Sequence, residues 1–213
     1  MTACNIYLVT PIGLATGQIP LDRFAESLRP TLNEARVEAL LLRSGGGEGH
    51  LSDDDLRRQI ETLLPLAHAA GLPLVLEERA DLVQSEGCDG VHVIADKARV
   101  AAVRRALGED AIVGAGCGAS RHSAMEAGEA GADYVSFGAF DPEPQAPDPD
   151  LLSWWQEMME PPCVAMGGIT LENAVDYAEA GADFLALRNA VWNHEGGPLA
   201  AIKAFAKVIA AAE

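Results

Sequence analysis

No run of apolar residues in this chain approaches the ~20 that a bilayer-spanning helix requires, so a membrane protein is not expected. Basic charge is scarce as well: Lys and Arg number 15 against 32 Asp and Glu, a formal net charge of −17. A field of that sign repels nucleic acid and anionic membrane surfaces, and neither is expected as a partner. Small anionic ligands stay open, because a few local donors outweigh a diffuse field. Close cysteine pairs are missing. Cys4, Cys88, Cys117 and Cys163 lie far apart, without the C-x-x-C spacing of a zinc site or the density of a secreted disulfide framework. Four reduced thiols in a cytoplasmic protein are the expectation. Strand-like sequence begins by Asn5, so a signal peptide is not expected. No linker divides residues 1–213, and the 49% apolar content is enough for one sizeable core.

What the chain does have is a repeat. Glu86-Gly87-Cys88-Asp89-Gly90-Val91, Glu129-Ala130-Gly131-Ala132-Asp133-Tyr134 and Glu179-Ala180-Gly181-Ala182-Asp183-Phe184 share one pattern: a helical stretch ends at Gly, an acidic residue follows, then a short apolar run. Filling the gaps gives eight such runs, at Ile6–Thr10, Ala39–Arg43, Pro73–Glu77, Gly90–Val93, Ala111–Ala115, Tyr134–Phe137, Cys163–Met166 and Phe184–Leu187. Helical stretches separate them. One example runs from Ser52 to Ala70, where Ser52 and Asp55 make a capping-box variant. Strands alternating with helices imply a parallel sheet, and eight units imply a closed (β/α)8 TIM barrel of one compact domain. An open doubly wound sheet is the alternative.

Catalytic groups in that fold sit just after the strands. The second run delivers Arg43, the third Glu77 and Glu78, the fourth His92 and then Asp96, and the seventh Gly167 and Gly168. The eighth delivers Arg188 and Asn189. Paired glycines expose bare amides, Asn189 suits an N-cap, and Arg188 adds fixed positive charge, so a phosphate site is expected there. Glu78 and Asp96 are candidate Mg²⁺ ligands, and His92 and His122 candidate acid–base groups. Gly114-Ala115-Gly116-Cys117-Gly118-Ala119 fits a dinucleotide pattern, but the required acidic residue closing the next strand is missing. The loop Ser44 to Gly49 has no Gly-Lys-Ser or Gly-Lys-Thr and is not a P-loop. Asp141 to Asp150 carries four prolines and reads as a solvated loop, with a lid as the alternative. Trp154, Trp155, Met158 and Met159 form a stripe suited to core or interface packing, and a homodimer is one possible form.

Ile6-Tyr7-Leu8-Val9-Thr10, Asp89-Gly90-Val91-His92, Gly131-Ala132-Asp133-Tyr134-Val135 and Gly167-Gly168-Ile169-Thr170 together resemble the thiamine-phosphate synthase superfamily, which includes thiazole tautomerases. The resemblance covers essentially the whole chain. It implies a cytoplasmic enzyme of thiamine biosynthesis that joins hydroxymethylpyrimidine diphosphate to thiazole phosphate with Mg²⁺, releasing pyrophosphate. Small phosphorylated metabolites would then be its partners. It implies that Gly167, Gly168 and Asn189 hold the thiazole phosphate, with Asn189 where the family usually has Ser. The diphosphate side departs from the family. Its Gln-x-Arg-x-Lys is here Leu41-Leu42-Arg43-Ser44-Gly45, retaining only Arg43. Its Asn-Asp-Arg reads Glu77-Glu78-Arg79, a metal aspartate is replaced by Lys97 or shifted to Asp96, and its Thr-x-Thr-Lys loop reads Glu143-Pro144-Gln145-Ala146. These departures imply a retained phosphate site with a degraded pyrophosphate and Mg²⁺ site. A tautomerase using His122 as base, or a non-catalytic metabolite binder, are the alternatives.

Overall fold

The computed structural model describes residues 3–34, 36–46, 49–141 and 144–211. Eight parallel strands close into a barrel: β1 (Asn5–Val9), β2 (Val37–Leu42), β3 (Leu74–Glu77), β4 (Gly90–Ile94), β5 (Ile112–Gly116), β6 (Tyr134–Gly138), β7 (Cys163–Met166) and β8 (Phe184–Leu187). Each pairs with its sequence neighbour, and β1 closes the ring by pairing with β8, Asn5 opposite Phe184 and Leu8 opposite Leu187. The expected barrel is therefore the fold, and the open sheet is not. Around it lie α1 (Ile12–Ala15), α2 (Leu21–Leu32), α3 (Asp53–Ala69), α4 (Ala80–Glu86), α5 (Lys97–Leu107), α6 (Arg121–Glu129), α7 (Pro149–Met158), α8 (Ala174–Glu179), α9 (Asn189–Trp192) and α10 (Pro198–Ala210). Among the described residues no helix is long and apolar enough to cross a membrane.

The sequence repeat has a physical cause. Gly87, Gly131 and Gly181 adopt φ of 73°, 95° and 96°, left-handed values that end helices α4, α6 and α8. The aspartate that follows each glycine clamps the barrel floor. Asp89 donates its amide to the Leu74 carbonyl at 3.0 Å, and its Oδ2 accepts from the Leu74 amide at 2.8 Å. Asp133 makes the same two bonds to Val113, at 2.8 and 2.7 Å, and Asp183 to Cys163, at 3.0 and 2.8 Å. An even-numbered strand is thereby fixed to the odd-numbered strand before it, and donors that the ladder leaves open are satisfied. Ser52 caps α3, accepting from the Asp55 amide at 3.1 Å. Asp55 does not complete a full box. Its shorter side chain accepts from the Ser52 hydroxyl at 2.6 Å.

Alternation along the strands sorts two cores. On β1, Ile6 and Leu8 join the large layer between barrel and helices, while Tyr7 and Val9 point inward with Leu41, Val75, Tyr134, Val164 and Met166. Trp155 is fully buried, donating Nε1–H to the Pro161 carbonyl at 2.7 Å, whereas Met158 is exposed. All four cysteines are buried and none forms a disulfide among the described residues.

Candidate active site

A cavity of about 760 Å³ opens at the C-terminal mouth. Its walls include Arg43, Glu77, Glu78, His92, Gly116, Ser136 and Asp141. Arg43 is anchored first by its backbone, whose amide donates to Thr10 Oγ1 at 3.0 Å. Its Nε–H then reaches both oxygens of Glu77, at 2.9 and 3.1 Å. Nη1 lies 2.5 Å from Asp141 Oδ2, an ion pair without hydrogen-bond alignment. Burial lowers the guanidinium's proton affinity, but Glu77 and Asp141 outweigh it and the net shift is upward. Glu77 also shifts upward, here because its own burial raises its pKa despite Arg43.

Arg188 approaches from β8. It is buried, stacks its guanidinium over the Phe140 ring at 4.5 Å, and donates to the Phe140 carbonyl at 3.3 Å and to Asp141 Oδ2 at 3.4 Å. These bonds are long, and its Nε has no hydrogen-bond partner among the described residues. Burial, then repulsion from Arg43, lowers its pKa. Two guanidinium groups thus share one carboxylate oxygen, which comes from the first residue of the proline-rich loop.

At the cavity floor His92 is buried, with Nδ1 3.0 Å from the Tyr134 hydroxyl, which lies 2.9 Å from that of Tyr7. Desolvation, reinforced by Arg43, lowers the His92 pKa to about 4. Gly114 makes this chain possible: a Cβ there would lie 2.0 Å from Tyr134 Cζ, so any side chain would displace the ring. Beside it, a Cβ on Gly116 would sit 3.1 Å from His92 Nε2 and 3.7 Å from Ser136 Oγ.

Of the other sequence candidates, His122 and Asp96 fall outside these walls and Glu78 is turned aside within them. His122 is exposed on α6, 3.4 Å from Glu126. Asp96 is the N-cap of α5, its Oδ1 accepting from the Arg99 amide at 2.9 Å. Glu78 lines the cavity in a left-handed conformation, φ 63°, a strained setting for a residue with a side chain. Its Oε1 accepts from the Ile94 amide at 2.6 Å and its Oε2 pairs with Arg99. These carboxylates are committed to the protein, and the described residues contain no group of three or more His, Cys, Asp or Glu able to hold a metal. They do not fit a preformed Mg²⁺ site.

Asn189 is the first residue of α9 rather than its cap, a position held by Arg188 without a side-chain capping bond. Gly167, at φ 85°, faces the proline-rich loop: a Cβ there would meet the Ala139 carbonyl oxygen at 1.9 Å. Gly168 sits against Ala146. The loop is tied down by reciprocal Ala139–Gln145 backbone bonds of 2.9 and 2.8 Å. At these glycines the backbone conformation and the close approach of the loop both require the missing side chain.

A family model described as thiamine monophosphate synthase matches residues 6–191. The chain belongs to the thiamine monophosphate synthase family. It is 46% identical over 214 residues to a thiamine-phosphate synthase of Rhodospirillum centenum, covering 98% of this chain and 99% of that relative. A thiamine-phosphate synthase of Hyphomonas neptunium is 42% identical over 206 residues, covering 94% and 91%. Among solved structures, thiamine phosphate pyrophosphorylase from Pyrococcus furiosus aligns with a TM-score of 0.80 at 22% identity, covering 99% and 98%, an agreement in fold.

Within the family frame, sequence reasoning missed Asp141, Tyr7, Tyr134 and Ser136. Asp141 follows the end of β6, a usable signal, whereas Tyr7 and Ser136 lie in mid-strand and Tyr134 opens β6. Nothing in the spacing tells which of them meet across the barrel.

Proposed function

We propose that this chain carries out the condensation that names its relatives, joining hydroxymethylpyrimidine diphosphate to thiazole phosphate in the mouth cavity. The observation that carries the proposal is Arg43, a buried cation on the cavity wall, held in place by Glu77. In the reaction the thiazole nitrogen forms a C–N bond to the pyrimidine methylene carbon as the C–O bond to the diphosphate breaks. Negative charge grows on the leaving diphosphate, and preplaced positive charge lowers the barrier for that step. Arg43 is the group we assign to it. Arg188 and the amides at Gly167, Gly168 and Asn189 are the groups we assign to the thiazole phosphate. No step is assigned to a metal, since Glu78 and Asp96 are otherwise engaged.

The diphosphate end is remodelled. Asp141 stands on the cation a diphosphate would use, and Glu143-Pro144-Gln145-Ala146 replaces a hydroxyl- and lysine-bearing loop. Lys97, the one nearby substitute in sequence, is exposed on α5 and paired with Glu129 at 2.8 Å. We therefore propose a synthase that turns over more slowly than a relative with the intact motifs. Each missing charge-assisted contact removes roughly 1.5–3 kcal/mol.

The test is a steady-state assay with both substrates and Mg²⁺, beside Lys97→Ala and the triple variant Glu143→Thr, Gln145→Thr, Ala146→Lys. Slow turnover, faster in the triple variant and unchanged in Lys97→Ala, is expected. Wild-type turnover equal to an intact relative's would remove the slow-synthase reading. Metal-free isomerisation would move the protein to the tautomerases, and tight binding without turnover would make it a metabolite binder.

A further inference from the structure

We infer that Tyr7 and Tyr134 lock His92 in one tautomer, so that His92 offers the substrate an Nε2–H donor and does not act as a base. The inference rests on the mouth cavity being the substrate site.

The three side chains come from β1, β6 and β4 and are each more than nine-tenths buried. They form a chain with two hydrogen bonds, Tyr7 OH to Tyr134 OH at 2.9 Å and Tyr134 OH to His92 Nδ1 at 3.0 Å. Two senses keep the Tyr134 proton in a hydrogen bond; a third, in which the Tyr134 oxygen accepts from both neighbours, strands that proton in the core. In the first, Tyr7 donates to Tyr134 and Tyr134 donates to Nδ1, and both hydroxyl protons are used. In the second, Nδ1–H donates to Tyr134 and Tyr134 donates to Tyr7, leaving the Tyr7 proton without an acceptor. Tyr7 is 3% exposed and its hydroxyl has no other hydrogen-bond partner among the described residues, so the second sense strands a polar hydrogen in the core. The first sense is favoured, and it makes Nδ1 an acceptor.

The proton of neutral His92 then resides on Nε2, which makes no hydrogen bond among the described residues and fronts the gap left by Gly116. Protonating the ring would put a proton on Nδ1 and take from the Tyr134 hydroxyl the acceptor it uses there. Burial and the Arg43 charge oppose it as well, while Glu77, opposite His92 in the β3–β4 register, is neutralised by Arg43. Ser136 Oγ faces the same gap, and among the described residues its one hydrogen-bond contact is to the Met166 sulfur at 3.9 Å. The site therefore suits a planar nitrogen heterocycle that presents a lone pair to Nε2–H and a second polar atom to the serine.

The test begins without substrate. ¹⁵N NMR of the imidazole in the whole protein should show Nε2 protonated and Nδ1 unprotonated at neutral pH, with the two tautomers mixing in Tyr134→Phe. A protonated Nδ1 in the wild type would overturn the inference whatever the enzyme does. The second arm compares His92→Gln, His92→Asn and His92→Ala in the synthase assay. Gln places an amide N–H near the Nε2 position, so kcat should stay within about tenfold of wild type, the change falling mainly on KM. Asn and Ala should lose more. A loss in Gln as deep as in Ala would show that His92 must accept a proton. If no variant, wild type included, turns over, the proposed reaction fails while the NMR result still decides the tautomer.

Discussion

Arg43 Nη1 lies 2.5 Å from Asp141 Oδ2, so the cation best placed for a diphosphate is already occupied by a carboxylate of the protein. The same oxygen lies 3.4 Å from Arg188 Nη1. An incoming diphosphate has to displace it. Asp141→Asn should therefore tighten binding of inorganic pyrophosphate by about tenfold, since a competing charge-assisted contact is removed. Stability should fall by about 1 kcal/mol, discounted because Asp141 is a third exposed. Calorimetry with pyrophosphate and a thermal melt check both. Weaker pyrophosphate binding in the variant would show that Asp141 positions Arg43 instead.

His92 predicts a pH dependence with a definite sign. Its folded pKa is lowered to about 4 from 6.5, so between those values the unfolded chain binds the proton that the folded chain refuses. The contribution is complete above pH 6.5 and is lost as pH falls toward 4, about 3 kcal/mol in all. Carboxylates titrate in the same range, so the measurement is a difference. The wild-type Tm should fall more steeply than that of His92→Gln between pH 6.5 and 4, and parallel curves would contradict the assignment.

Gly116→Ala should separate binding from folding. Gly116 has no left-handed φ, and the atoms nearest an added Cβ are His92 Nε2 at 3.1 Å, Ser136 Oγ at 3.7 Å and the Val93 carbonyl oxygen at 3.7 Å. The Tm should change little. KM for the pyrimidine substrate should rise about tenfold, the cost of one blocked hydrogen bond. An unchanged KM would mean the heterocycle lies elsewhere in the cavity.

Mg²⁺ alone should bind weakly. Glu78 accepts from Ile94 and pairs with Arg99, and Asp96 caps α5, so a metal has to break existing contacts to use them. Titration of Mg²⁺ into the ligand-free protein should give little heat. Micromolar affinity would show that these carboxylates rearrange readily.

The barrel was legible in the sequence because its determinants are local. A glycine that must take a positive φ, an aspartate two residues later and an apolar run recur at Gly87, Gly131 and Gly181. The strand positions follow from that pattern to within two residues, Val37–Leu42 being the widest departure from expectation. Arg43 and His92 were legible too, because the last residues of strands in this fold face the mouth. Asp141, Tyr7 and Tyr134 were not. Whether a tyrosine on β1 meets one 127 positions later depends on strand order, register and the empty space at Gly114. The direction in which Glu78 and Asp96 turn depends on which amide lies nearest, Ile94 or Arg99, and that is set by how β3 packs beside β4 and α5. Sequence determined the scaffold, since backbone propensity and apolar periodicity act over a few residues. Tertiary structure alone decided which charges and protons share the cavity, since those contacts close only when distant strands meet.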